Sequence, residues 1–255
     1  MSLQRSVPAF PITAVSASMC IALLTSPAST YGVGLQSETE ALVVIEGQRS
    51  ALVAMGTKSQ EPVGDIVGTL RLPEGSKLTA RDLANSVVWL ADIELPSERL
   101  EEIASSRPHA LMDQIDMAFT PFVLPILVGE EVEFRNSDGS VFHGVQSRSP
   151  AKTFNLGMYP SGQSKSVVFE KPGVVDIRCM VHSEMLAFVV VAPNPFFAQA
   201  TSDGSFMIHN VPAGNHTLHM WNHKTGPIDR TISVPPDATA TVTIELKGNP
   251  NGGAR

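Results

Sequence analysis

From His109 to Pro193 the chain is a succession of short apolar runs, each closed by Gly, Pro, Asn or Asp. They read FVLPILVG, EEVEFRN, a DGS turn, VFHGVQS, a loop, SKSVVFE, the turn KPG, VVDIRC and LAFVVVA. β-Branched and aromatic residues fill the runs and few long helical periods interrupt them, so each predicts a strand. Strands at this spacing predict a small antiparallel sandwich. Downstream, SDGSFMIHNVPAGNHTLHMWNH predicts two more strands around a VPAG turn, and RTISVPPDATATVTIELK another two. Upstream, DIVGTLRL and SVVWLADI read as strands by their β-branched content and partial alternation. Between them Thr79, with Asp82 three residues on, predicts a helical turn, and a second short helix starts at Ser97 with Glu98 in its first turn. The expected fold class is mainly β.

The chain has 255 residues, 43% hydrophobic and 17% charged, which is a globular composition with enough apolar residues for a real core. A formal charge of -7 and the lack of any Lys/Arg run exclude a nucleic-acid partner. Residues 1–30 differ from the rest. Arg5 is their only charge, ITAVSASMCIALL is an apolar stretch too short for a membrane span, and Ser26-Pro27-Ala28 offers a small-x-small cleavage site. They read as a secretory signal peptide, which predicts a periplasmic or secreted protein with no membrane span in the mature chain, anchored only if the signal is retained. Cleavage removes Cys20 and leaves Cys179 as a lone thiol, unable to form an intramolecular disulfide in an oxidising compartment. Residues 31–63, with ALVVIE and SALVAM, read as a hairpin or lead-in, and residues 249–255 have the composition of a disordered tail.

Cys179 belongs to RCMVHSEM, which sets Cys179, His182 and Met185 at three-residue intervals. On a strand the first two point to opposite faces about 10 Å apart, and on a helix the third swings away from the first. Neither regular element gathers all three. The segment falls between two predicted strands, however, and a turn there wraps them around one point. His143, just past the DGS turn, supplies a fourth group. Two imidazoles, a thiolate and a thioether suit copper in a trigonal arrangement with a weak axial Met, whereas Met is a poor zinc ligand. His216, His219 and His223 are spaced too widely along a strand, about 13 Å between the last two, to hold one ion. His109 and His209 stand alone.

With this loop and strand context, residues 108–193 resemble the cupredoxins, the small blue copper proteins, and most of all the amicyanin type with its short Cys-x-x-His-x-x-Met loop. The resemblance implies a Greek-key β-sandwich, one type 1 copper site, and His143, Cys179, His182 and Met185 as its ligands. It implies that Asn136 ties the two ligand-bearing loops together and that His182 is the solvent-edge ligand through which electrons leave. Met180 and Val181, with Leu156, Met158 and Pro160, are then candidates for an apolar docking patch. Phe142 departs from the Pro that many relatives carry before the first His. Arg178 and Met180 flank Cys179, where blue-copper enzymes carry a His that feeds a second copper.

The flanks, residues 64–107 and 194–248, resemble the carboxypeptidase regulatory-like, transthyretin-type β-sandwich. The pattern is carried by Asp203, Gly204, Phe206, Ile208, Val211, Pro212 and Gly214. With the copper segment set between them, the two flanks are expected to form a second small sandwich packed with the first. Two functional readings follow. The first is a non-enzymatic carrier of single electrons, cycling Cu(II)/Cu(I), whose partner is a transient redox protein such as an exported cytochrome or dehydrogenase. The second is a copper sensor or store, or a structural or glycan-binding module, in which the flanking sandwich does the recognition.

Overall fold

The computed structural model describes residues 61–247. The expected signal peptide, most of the lead-in and the tail lie outside these residues. The first flank contributes β1 (Val63–Arg71), α1 (Ala80–Ala84), β2 (Ser86–Leu90) and α2 (Ser97–Ser106). The middle segment contributes β3 (Ala110–Ile115), β4 (Ala118–Thr120), β5 (Val123–Leu127), β6 (Glu131–Asn136), β7 (His143–Ser149), β8 (Lys152–Tyr159), β9 (Ser164–Val168), β10 (Gly173–Cys179) and β11 (Leu186–Ala192). The last flank adds β12 (Phe197–Gln199), β13 (Ser205–Pro212), β14 (Gly214–Asn222), β15 (Gly226–Val234) and β16 (Thr239–Glu245).

The middle strands form two facing sheets, in orders β5-β11-β10-β7-β8 and β4-β3-β6-β9. The chain alternates between them: β5 lies in one sheet, β6 in the other, β7 and β8 return, β9 crosses, and β10 and β11 return again. This is a Greek-key sandwich. Its core includes Met112, Phe134, Val145, Ile177 and Val189, all fully buried. The flanking strands form a second, smaller sandwich from sheets β13-β1-β16 and β12-β2-β14-β15, packed around Ile66, Leu70, Leu90, Leu218 and Ile244. Alternation along β1 is strict, with Gly64, Ile66, Gly68 and Leu70 inward. Gly68 is required by its neighbour, since a Cβ there would sit 1.9 Å from the Phe206 ring. Gly204 turns with φ +84, and a Cβ on it would lie 2.3 Å from the Leu70 carbonyl oxygen.

β11 shows no alternation, and nearly every residue from Ala187 to Ala192 is buried. Ala187, Val189 and Val191 face the Greek-key core, while Phe188 and Val190 pack with Val87 and Trp221 of the second sandwich. The Phe188 and Trp221 rings meet edge-on with centroids 5.1 Å apart. A continuous apolar strand is what burial on both faces requires. Just past β11 the Asn194 side-chain amide donates to the carbonyls of Leu90 and Ile93 at 2.8 and 2.9 Å, anchoring the chain where it re-enters the second sandwich.

Both predicted helices form. The Asp82 carboxylate accepts from the Thr79 backbone N–H and hydroxyl at 2.7 and 2.9 Å, and α2 begins at Ser97. Two expectations fail: the sandwich is not purely antiparallel, since β5 runs parallel to β11 and β3 parallel to β6, and the stretch after VFHGVQS, read as a loop, contains β8, which pairs with β7 from His143↔Tyr159 to Ser149↔Lys152. As an edge strand it buries only Tyr159 fully, and Gly157 at φ +67 accompanies a register shift opposite Gly144. A half-exposed strand with a left-handed glycine leaves little periodic signal.

Candidate metal centre

β10 and β11 form a hairpin in which Arg178 pairs with Leu186, so residues 180–185 are its connecting loop. The Cys179 N–H donates to the Met185 carbonyl at 3.2 Å, and the Met185 N–H donates to the His182 carbonyl at 3.0 Å. These two bonds curl the loop so that positions 179, 182 and 185 share one turn. On the next strand, Val145 of β7 pairs with Cys179, which brings His143, at the start of β7, alongside the thiol.

The donor atoms converge. His143 Nδ1 lies 3.8 Å and His182 Nδ1 3.7 Å from Cys179 Sγ, and the two nitrogens are 3.1 Å apart. Imidazole nitrogens this close need a shared proton or a shared cation between them. A triangle with those sides has its centre about 2.1 Å from each corner, close to a metal–imidazole bond of about 2.0–2.1 Å and a metal–thiolate bond of about 2.3 Å. The residues therefore fit a first-row metal ion. Among the described residues, His143, Cys179 and His182 are the group of His, Cys and acidic side chains that meets this test. Met185 is buried in the same core cluster as Cys179.

Each donor has a distinct setting. His143 is fully buried, and its Nε2 lies 2.8 Å from Asp138 Oδ2. A carboxylate only accepts, so Nε2 carries the proton and Nδ1 presents its lone pair toward Cys179. This contact, with the Met117 N–H at 2.9 Å, holds the Asp138 carboxyl below its ordinary range. For Cys179, burial pushes the thiol up. The backbone N–H groups of Gly144, Val181 and His182 outweigh it and bring the thiol to about 6. A thiolate is the form that binds metal. His182 is only half-buried and reaches the surface.

The loop preceding His143 is organised by Asn136, whose amide donates to the carbonyls of Val141 at 2.9 Å and Tyr159 at 3.0 Å, while its Oδ1 accepts from the Asp138 N–H at 3.0 Å. The expectation that Asn136 bridges to the Cys179 loop is not met: these bonds tie the His143 loop to β8. Beneath it, the buried Tyr159 hydroxyl donates to the Phe134 carbonyl at 3.0 Å and accepts from Gln114 Nε2 at 2.9 Å. Burial pushes this phenol up to about 12.

The surface around His182 exposes Phe142, Met158, Met180 and Val181, whereas Leu156 and Pro160 are only partly exposed. Phe142 was legible only as a departure at the position before the first His. Asp138 was missed, because a turn residue in NSDG already explained it. Four of the five other histidines are engaged elsewhere: His216 with Asp92 at 3.0 Å, His219 with Asp229 and the Trp89 ring, and the exposed His109 and His209 with Glu133 and Asp65.

No protein-family model matches the chain, and no curated protein matches it. Among solved structures it is similar to a purple cupredoxin from Nitrosopumilus maritimus, with 29% identity, a TM-score of 0.30, and coverage of 32% of this chain and 98% of that one. It is also similar to a reduced Cu(I) form of an amicyanin variant, at 24% identity and TM-score 0.31, covering 34% of this chain and 88% of that one. A copper-containing nitrite reductase from Thermus scotoductus is similar at 23% identity and TM-score 0.33, over 35% of this chain and 23% of that one.

Proposed function

We propose that the chain is a type 1, or blue, copper protein that carries single electrons between redox partners, and that His143, Cys179, His182 and Met185 are the residues that would hold the copper. The observation that carries this reading is the donor triangle, two imidazole nitrogens and a thiol sulfur spaced to meet one ion. Copper bound there supplies one-electron cycling in a ligand set whose geometry changes little between oxidation states. The chain's part is to hold that set still. Asp138 orients His143, the backbone N–H groups of Gly144, Val181 and His182 favour the thiolate, and the sandwich core keeps water from Cys179.

His182 offers the route outward, and the apolar surface around it suits a transient partner such as an exported cytochrome or dehydrogenase. In this reading the protein is periplasmic or secreted and is a carrier rather than an enzyme, because Arg178 and Met180 leave no His beside Cys179 to feed a second copper. We also read residues 108–193 as inserted in one unit made of 64–107 and 194–248. Supporting this, β1 pairs with β13 and β16, and β2 with β12 and β14.

The test is to add Cu(II) to the copper-free protein. Intense visible absorption that Cys179→Ser removes, with reversible one-electron voltammetry, is the expected result. A colourless complex, or colour that survives Cys179→Ser, overturns the reading.

A further inference from the structure

Beside the metal loop, where the two sandwiches meet, lies a cleft of about 480 Å³. Sites for small organic molecules span about 300–1,000 Å³, so one or two aromatic rings fit. Its apolar lining comes from Phe119, Phe122 and Leu186, and Met185 at the end of the metal loop also lines it. The opposite wall comes from the second sandwich, with Arg81 of α1 and Asn85 just past its end, and with His223 and Lys224 in the turn after β14.

The charges in the cleft are unequally committed. Lys224 Nζ holds the buried Asp82 carboxylate at 2.8 Å, so these two cancel. Glu184, at the metal-loop side of the rim, is exposed and keeps its charge, accepting only from the Ser183 hydroxyl at 3.0 Å. Arg81 is exposed and, among the described residues, in no ion pair, which leaves its planar five-donor fork free. His223 is half-buried, its ring edge-on to Phe122 with centroids 4.9 Å apart, and its Nδ1 is buried without a partner. Burial lowers its pKa, so it faces the cleft as a neutral imidazole that adds no charge of its own.

An apolar slot with aromatic walls and one uncommitted guanidinium at its rim is complementary to a flat ring that carries a carboxylate. We propose that this cleft binds a small aromatic acid, its ring against Phe122 and Leu186 over a floor made by the buried Phe119 and Met185, and its carboxylate on Arg81. The inference concerns the copper-free chain as much as the loaded one, so it does not depend on the metal reading.

The probe is 1-naphthoate, titrated into the full-length copper-free protein by calorimetry, with 1-naphthalenemethanol as the uncharged analogue. The expected result is saturable one-to-one binding of naphthoate, weakened at least tenfold by Arg81→Gln and abolished by Ala118→Trp, which fills the cleft from the exposed strand β4. The alcohol should bind the unaltered protein and the Arg81→Gln variant equally. Thermal melts of both variants verify that they are folded, which surface positions 81 and 118 favour. Absence of saturable binding, or binding that both substitutions leave unchanged, overturns the proposal.

Discussion

Asp138 Oδ2 meets His143 Nε2 at 2.8 Å, on the side of the ring away from the nitrogen that faces Cys179. The carboxylate therefore decides which nitrogen is protonated. Removing it in Asp138→Ala frees the ring to take the other tautomer and to rotate. Carboxylate–histidine contacts of this type contribute about 10–100-fold to metal affinity. Competition against a chelator of known copper affinity should show a loss in that range for Asp138→Ala and a smaller loss for Asp138→Asn, whose amide oxygen still accepts.

Met185→Leu conserves volume at a buried position, so the fold should lose less than about 1.5 kcal/mol by denaturant melt. If the thioether contributes a weak bond to copper, the variant keeps its visible colour but shifts the band, and its reduction potential rises because the oxidised ion loses a donor. A spectrum and potential identical to the unaltered protein would reduce Met185 to a packing residue.

Tyr159 sets a stability limit at alkaline pH. Its phenol is pushed up from 10.0 to about 12 in the folded protein, so between those values the unfolded chain has released a proton that the folded chain retains. Its contribution is fully present below pH 10 and drains away as pH rises to about 12. Tyr159→Phe should be less stable at neutral pH by about 1–3 kcal/mol, since the Phe134 carbonyl and Gln114 amide lose a buried partner. It should also lose this part of the alkaline slope in urea midpoints measured across that window.

Phe188 holds the junction. Replacing it with Ala removes a ring that lies between Trp221 and Phe122, and such truncations cost about 3–5 kcal/mol. Because the ring serves the contact between sandwiches rather than either core, Phe188→Ala should also split one calorimetric transition into two. A single transition at lower temperature would mean that the remaining contacts still couple them.

Much of this was legible before the structure because each signal had a physical cause acting locally. The Cys179, His182 and Met185 spacing suits no helix or strand, so only a hairpin loop could use it, and the β10 and β11 runs on either side declared that hairpin. The packing of Phe206 on Gly68 and the tight turn at Gly204 left the DG-F pattern as their trace. What was not legible depends on partners distant in sequence or on geometry without periodicity. Asp138 is an ordinary turn residue until the loop folds its carboxylate onto His143. Strand β8 shows one face to solvent, and its glycine disguises the rest. The Asn136 bonds run to Val141 and Tyr159, a choice that only the folded loop determines.

β11 is shared property: one face completes the Greek-key core, the other is covered by the flanking sandwich, and its first residue follows Met185 directly. A fragment trimmed to residues 108–193 would thus carry a bare apolar strip at Phe188 and Val190, seeking a substitute surface, while the hinge of the metal loop lost half its support. A substitution at Val87 or Trp221, neither of them a donor residue, therefore becomes a way to loosen or tighten the strand on which that loop is hung.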